Sequence, residues 1–308
     1  MEEQLLELRA LVARAENRRT ETGIPRVAMV RGKVPEHDLA AVYDPMVNLI
    51  LQGAKTMTVG ERTLHYDPAT YFVMSVDLPA AGNVMATPTG EPYMAVSLTL
   101  DPALIANLLA DLARTPQRHT LEVAFSVAAV TPELLDAWLR MLRLMDRAAD
   151  IPALAPAYER EILYRVLQGP LGWMLRDIAT PDTTLARINI AIQWIREHFA
   201  EALRVETLAD MAAMSPSAFH RHFKAATALS PIQYQKRIRL LHARTRLVSG
   251  GDSATATAFD VGYESATQFS REYARFFGLP PARDLVRVRE EMGAARRASE
   301  DSGANNCL

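Results

Sequence analysis

Two groups of side chains in the C-terminal third have the types and spacing to read a nucleic-acid duplex. Ser217, His220, Arg221 and Lys224 fall at i, i+3, i+4 and i+7, so on a helix they share one face, opposite Phe219 and Phe223. A guanidinium can fork onto the O6 and N7 of guanine, and the other three groups can reach base edges or phosphates. Fifty residues later Thr267, Ser270 and Arg271 take the corresponding outward places, opposite Phe269, Tyr273 and Phe276. Ser215 and Ser265, Phe219 and Phe269, Arg221 and Arg271, and the aromatic pair Phe223 and Tyr273 repeat in register, while Ala274 stands where Lys224 does. One amphipathic helix with an exposed arginine is ordinary surface. Two copies with matched caps, aromatics and arginines suggest two docking events on a repeating partner, and duplex DNA is such a partner. The two copies are related but unequal, so they imply an asymmetric target of two different half-elements.

The elements that must hold these side chains are also legible. Val205–Met214 supplies a supporting helix, with Leu208 and Met211 facing inward and the small Ala209 and Ala212 permitting a close crossing. Ser215 caps the next helix and Pro216 starts it. The second copy uses Ala254–Val261 as support and Gly262-Tyr263-Glu264 as a turn one residue longer, so the repeat offset is 49 before the turn and 50 after it. Between the copies, Pro231–Val248 reads as one helix of roughly 25 Å at about 1.5 Å per residue. Such a spacer, with the modules that flank it, can set two recognition helices about one DNA turn (~34 Å) apart. Lys236, Arg237 and Arg239 on that helix, with Lys224 and Arg275, are the candidates for phosphate contacts. His220 and His222 are two apart and point to different helix faces, whereas zinc ligands on a helix prefer i, i+4, so no metal site is expected there.

Charge supports the same division. The formal net charge of −2 hides a split, with 17 Lys+Arg against 23 Asp+Glu through Asp182 and 17 against 13 after it. Within Met214–Arg297 the balance is 14 against 7. A basic segment is therefore carried by an acidic partner domain.

The N-terminal half has a different texture. Glu2 to about Arg19 reads as a short amphipathic helix with Leu5, Leu8 and Val12 on one side. From about residue 24 to 100, runs such as Val47–Leu51, Lys55–Val59, Tyr71–Val76 and Tyr93–Leu98 alternate with turn clusters. The clusters are Gly60-Glu61, Asp67-Pro68, Leu78-Pro79 with Gly82-Asn83, and Pro88-Thr89-Gly90. Short strands at that spacing predict a small antiparallel barrel or sandwich. Helical periodicity takes over at Asp101-Pro102 and continues to about residue 179, including a helix from about Ala153 to Gln168. After Thr131-Pro132, the residues Leu135, Trp138, Leu142 and Met145 form one stripe, a candidate dimer contact or else core. Residues 180–184 read as the linker, 185–290 as the DNA-binding domain and 293–308 as a disordered tail.

Other chemistry finds little support. The single cysteine, Cys307, excludes internal disulfides, cysteine-rich zinc sites and a thiol sensor outside the tail. His37 and His65 are isolated and form no His-x-His pair, and no Gly-rich phosphate loop is present, so no cofactor and no enzyme activity are expected. The acidic N-terminus lacks a signal-peptide pattern, and no apolar run approaches the ~20 residues of a membrane span, which reads as a cytoplasmic protein. A barrel interior can hold a small, mostly apolar effector, with Tyr71, Phe72 and Tyr93 as candidate lining residues.

At this level of detail the chain resembles the AraC/XylS family of bacterial transcription regulators. Between about Leu185 and Arg289 the resemblance rests on Met214-Ser-Pro-Ser-Ala-Phe-His-Arg-His-Phe-Lys224, Ser230-Pro-Ile-Gln-Tyr-Gln-Lys-Arg237, Val261-Gly-Tyr-Glu-Ser265, Phe269-Ser-Arg-Glu-Tyr273 and Phe277-Gly-Leu-Pro-Pro281. It implies seven helices in two helix-turn-helix subdomains that enter successive major-groove segments. Ser217, His220, Arg221, Thr267, Ser270 and Arg271 match the base-facing positions. The family often ends with Pro, two residues, then Tyr-Arg, whereas here Pro281 is followed by Ala-Arg-Asp284-Leu285. From about Gly23 to Thr180, the segments Val47–Gly53, Tyr66-Asp-Pro68, Tyr71–Pro79 and Glu91-Pro-Tyr93 resemble the N-terminal half of one subfamily. That resemblance implies an α+β, two-domain chain, with a cupin-like antiparallel barrel and following helices for effector sensing and dimerisation. The implied partners are promoter DNA, a small-molecule effector, RNA polymerase for an activator, and a second copy of the chain. The alternative is a cupin-like enzyme tethered to a DNA-binding domain.

Overall fold

The computed structural model describes residues 1–15, 19–32, 40–112, 123–250 and 253–290. Ten strands and eleven α-helices order as α1 (Glu2–Val12), β1 (Arg19–Glu21), β2 (Val27–Gly32), β3 (Ala41–Tyr43), β4 (Met46–Gln52), β5 (Ala54–Val59), β6 (Arg62–Tyr66), β7 (Thr70–Met74), β8 (Leu78–Met85), β9 (Tyr93–Thr99), α2 (Pro102–Ala110), β10 (Phe125–Ala129), α3 (Pro132–Arg143), α4 (Ile151–Gln168), α5 (Gly172–Ala179), α6 (Thr184–Glu197), α7 (Val205–Met211), α8 (Pro216–Thr227), α9 (Pro231–Ser249), α10 (Ala254–Asp260) and α11 (Ala266–Phe277) among the described residues. The backbone is again helical over 281–290. The chain packs as two compact units. Residues 1–193 with 205–231 form the first, and 194–204 with the chain from Ile232 form the second.

In the first unit the strands form two antiparallel sheets, ordered β1-β2-β9-β4-β7-β10 and β3-β8-β5-β6. Alternation decides which side chains go where. On the larger sheet Val27, Met29, Val47, Leu49, Leu51, Tyr71, Val73, Met94, Val96 and Leu98 share one core with residues from helices α1 to α5. Asn48, Ile50, Phe72, Met74, Tyr93, Ala95 and Ser97 are buried on the other face. Lys55, Met57 and Val59 are the buried residues of the alternating strand β5, and Tyr66 of β6 stacks on Phe72 of β7 with ring centroids 5.3 Å apart. These side chains form the interior between the two sheets. Arg26 ties β2 to α4, donating from Nε and Nη2 to Glu159 at 3.0 and 2.5 Å.

Several expectations need correction. The first helix ends at Val12, and Arg19 already lies in β1. The expected turn cluster around Leu78-Pro79 and Gly82-Asn83 is strand β8. Proline is tolerated there because Leu78–Ala80 pairs only with the three-residue β3, whereas pairing with β5 begins at Ala81. A strand, β10, interrupts the region expected to be helical and adds to β7, opposite Thr70–Met74. The stripe Leu135–Trp138–Leu142 is not a free dimer surface, because all three side chains are fully buried in the first unit's own core. Met145 packs against that same core. Tyr71 does not line the interior between the sheets. Its neighbour Phe72 does, and alternation sends Tyr71 to the helix-covered face, where its hydroxyl approaches Gly169. The stretch at 180–184 is a short turn between α5 and α6, capped by Thr183 Oγ1 accepting from the Ala186 amide at 3.0 Å. The division in packing falls further along, within the helical region. The tail at 293–308, with Cys307, and also His37 lie outside the described residues.

Candidate nucleic-acid interface

Both repeats fold as helix, turn, helix, and the same atoms close both turns. In the first, the Met214 amide reaches back to the Ala209 carbonyl at 2.9 Å, and Ala213 takes a left-handed backbone at φ 50°. In the second, the Tyr263 amide reaches the Ala258 carbonyl at 2.9 Å, and Gly262 takes φ 88°. A Cβ at Gly262 would lie 2.1 Å from the Ala200 carbonyl oxygen, so glycine is required both by conformation and by room. The second helix of each repeat is capped by serine. Ser215 Oγ accepts from the Ala218 amide at 3.4 Å, and Ser265 Oγ from the Gln268 amide at 3.3 Å. Both helices run 12 residues and end in a left-handed residue, Ala228 or Gly278.

The inward faces hold the second helix of each repeat in place. Phe219 and Phe223 of α8 are fully buried, with ring centroids 5.5 Å apart. Phe269 and Tyr273 of α11 are buried with Leu240, Ala243, Leu247, Ala258, Val261 and Tyr263 in the core of the second unit. Burying one such aromatic contributes roughly 1.5–3 kcal/mol. The outward faces stay in solvent. Ser217, His220, Arg221 and Lys224 are exposed on α8, as are Thr267, Arg271 and Arg275 on α11, while Ser270 is half-buried. Arg221 lies beside His222, with Nη2 3.3 Å from Nε2. Partial burial, then the Arg221 charge, holds the His222 imidazole below its usual pKa.

Three expected phosphate contacts are committed elsewhere. Arg239 donates Nε to the Phe199 carbonyl at 2.7 Å, Nη1 to Gly262 at 2.7 Å, and Nη2 to Ala200 and Glu201 at 3.2 and 2.8 Å. It is a staple for carbonyls that end a helix and form a turn, not a free cation. Lys236 is held 2.7 Å from Glu272 of α11, and the Arg237 guanidinium lies over the Phe276 ring at 5.4 Å. Among the expected backbone cations, Lys224 and Arg275 are the exposed ones.

Other polar groups carry no signal in the repeat pattern. Glu272 also accepts from the Tyr263 hydroxyl at 2.9 Å and from Gln268 Nε2 at 3.2 Å, which fixes the outward face of α11. Burial would raise its pKa, but the bonds from Lys236, Gln268 and Tyr263 outweigh that and hold it below the usual range. Gln268 is exposed in the first turn of α11, and the repeat does not mark it because its counterpart in the first copy is Ala218. The departure at the C-terminal end has a structural reason. Asp284 is fully buried and accepts from Arg244 Nη2 at 3.0 Å, Arg287 Nη2 at 2.7 Å and the Tyr273 hydroxyl at 2.9 Å. Its sequence signal is an acid at a place where the family often has tyrosine.

Among the described residues no group of three or more His, Cys, Asp or Glu side chains is placed to hold a metal ion, and His65 is exposed on β6. Nor, among those residues, is any helix long and apolar enough to cross a membrane.

Comparison with known proteins adds an independent line. Residues 23–174 match the family model described as the AraC-type transcriptional regulator N-terminus, and residues 208–285 match a helix-turn-helix domain. The HTH-type transcriptional activator RhaS of Escherichia fergusonii is 41% identical over 100 residues, covering 32% of this chain and 36% of the relative. RhaS of Salmonella schwarzengrund is 32% identical over 162 residues, covering 52% and 57%. The chain thus spans about a third to just over half the length of these relatives. In overall fold it is similar to apo ToxT from Vibrio cholerae, with a TM-score of 0.56 at 9% identity over 85% of this chain and 97% of that one. ToxT with unsaturated fatty acid bound gives a TM-score of 0.53 at 10% identity, over 88% and 96%. With two family models matched in order along the chain and both helix-turn-helix units built as described, the chain belongs to the AraC/XylS family of transcription regulators.

Proposed function

We propose that this protein is a sequence-specific DNA-binding transcription regulator whose helices α8 and α11 enter successive major-groove segments of a promoter. The observation that carries this reading is the exposed pair Arg221 and Arg271. They stand at equivalent places on two serine-capped helices whose opposite faces are anchored by buried aromatics. Ser217 and His220 on α8, and Thr267 and Ser270 on α11, complete the base-reading faces. Lys224 and Arg275 supply phosphate contacts. The first unit senses a small molecule between its two sheets, as the ToxT structure with bound unsaturated fatty acid suggests for a similar fold. The relatives are activators, so RNA polymerase is the partner expected at the promoter. The protein works in the cytoplasm without enzymatic chemistry of its own. If it pairs as a homodimer, the contact lies outside the buried α3 stripe.

The test uses full-length protein and a duplex selected for tight binding. Arg221→Ala should lose about 1–3 kcal/mol of discrimination at one base pair. Lys224→Ala should weaken binding to all sequences alike and reduce the salt slope by about one. Unchanged binding by Arg221→Ala, or a Lys224→Ala loss confined to one base pair, would contradict these roles.

A further inference from the structure

Gln268 is held at both ends. Its backbone amide donates to the Ser265 cap at 3.3 Å, and its Nε2 donates to Glu272 Oε1, one turn further on, at 3.2 Å. It is nonetheless exposed, in the first turn of α11, the part of a helix that meets base edges when the helix lies in a major groove. With 3.6 residues per turn, Gln268 stands about 60° round the helix from Arg271, whereas Ser270 stands about 100° away on the other side. Gln268 is therefore nearer the middle of the outward face than the half-buried Ser270.

The group that holds the amide is itself immobilised. The Glu272 side chain is 14% exposed, and its Oε1 also accepts from Lys236 Nζ of α9 at 2.7 Å. Its Oε2 accepts from the Tyr263 hydroxyl at 2.9 Å. Tyr263 in turn is buried and packs edge-on against Phe269, with ring centroids 5.3 Å apart. The carboxylate stays ionised under these bonds, and an ionised carboxylate only accepts. The Gln268 amide must therefore turn its NH2 toward Glu272 and its Oε1 the other way. One N–H is used on Glu272. The second N–H and Oε1 make no other hydrogen bond among the described residues, and they form a donor and an acceptor side by side. That pair complements N7 and the N6 amino group of adenine. Guanine presents two acceptors at the same edge, N7 and O6, and would set Oε1 against O6.

We infer that Gln268 reads an adenine in the half-element bound by α11, Oε1 accepting from N6 and Nε2 donating to N7, and that Glu272 is the positioning residue that fixes the direction of the amide. The inference rests on reading α11 as a major-groove helix, and it names the base that the helix selects. Lys236 then serves recognition through Glu272 rather than through a phosphate. The first copy has Ala218 and His222 at the corresponding places, so this contact belongs to the second half-element alone.

The test measures binding of the full-length protein to a duplex selected from a random pool and to its single-base variants. The wild type should favour adenine by about tenfold at one base pair, within the block that Arg271→Ala relaxes. Gln268→Ala should lose that preference and keep the others. Gln268→Arg places a guanidinium that can fork onto guanine beside the same carboxylate, so the preference at that base pair should move from adenine to guanine. Glu272→Gln can donate as well as accept, which lets the Gln268 amide reverse, so the adenine preference should fall while preferences in the other block stay. Retention of every preference by Gln268→Ala, or a loss spread equally over all sequences, would overturn the inference and leave the regulator reading standing. So would a base other than adenine at the position that Gln268→Ala relaxes. An undiminished adenine preference in Glu272→Gln would remove the positioning role. A wild type that enriches no sequence would overturn the regulator reading and this inference together.

Discussion

Single residues divide into those that face solvent on the outer faces of α8 and α11 and those that are consumed in holding these helices. Arg221 and Arg239 are alike in sequence, both cations on helices of the basic segment. They differ because Arg239 lies where four carbonyl oxygens converge, and that arrangement depends on chain segments distant in sequence. Asp284 is legible only as a departure from the family ending. Its role depends on Arg244, forty residues away, whose side chain is 7% exposed against 1% for the aspartate. Asp284→Asn removes the buried negative charge that Arg244 and Arg287 face and should cost about 3–5 kcal/mol in urea unfolding. Burial opposes ionisation of Asp284, but the bonds from Arg287, Tyr273 and Arg244 win and depress its pKa. A carboxylate with a depressed folded pKa stabilises fully above its unfolded value near 3.9 and loses that contribution as pH falls through the folded value. The variant should therefore differ from wild type at pH 7 and converge toward it in acid. A constant difference down to about pH 2 would argue against the charge network.

At the scale of elements, periodicity is a good guide wherever one face meets one environment. The strand runs of β4, β5, β7 and β9 and the capped starts of α2, α3, α8 and α11 are all readable, because alternation, the 3.6-residue repeat and capping chemistry are local. What is not readable is which apolar face meets which partner. The α3 stripe has the pattern of an interface, and only the fold shows that α1 and α4 cover it. Trp138→Ala should cost about 3–5 kcal/mol of unfolding free energy with no change in subunit stoichiometry by sedimentation. A shift in stoichiometry at unchanged stability would restore the stripe as an interface. Tyr71 and Phe72 show the same limit, since adjacent strand residues cannot both face inward. The turn after β5 carries a further constraint. Gly60 has φ 63°, and a Cβ there would lie 2.2 Å from the carbonyl oxygen of Ala228, the residue that ends α8. The Ala124 amide donates to the Ala226 carbonyl at 3.0 Å in the same region, so the turns beside the strands hold the end of α8. Gly60→Val should therefore destabilise the first unit by at least about 1–2 kcal/mol and alter DNA affinity as well. Equal urea midpoints and equal affinity would show that this contact carries no weight.

At the scale of the whole molecule, two unequal copies of one module imply an asymmetric binding site from sequence alone. The fold adds that the copies sit in different packing units, the first with the strands and the second with residues 194–204 and the chain from Ile232. That arrangement is not visible in the sequence, where residues 180–184 read as the boundary between sensing and reading. The central claim is that α8 and α11 each read a different half-element. The most direct measurement is a random-pool DNA selection with the full-length wild type, Arg221→Ala and Arg271→Ala. The wild type should enrich one asymmetric site with two separated sequence blocks. Each variant should relax preference in one block only, and the two variants in different blocks. Enrichment of no sequence, or loss of the same block in both variants, would contradict it.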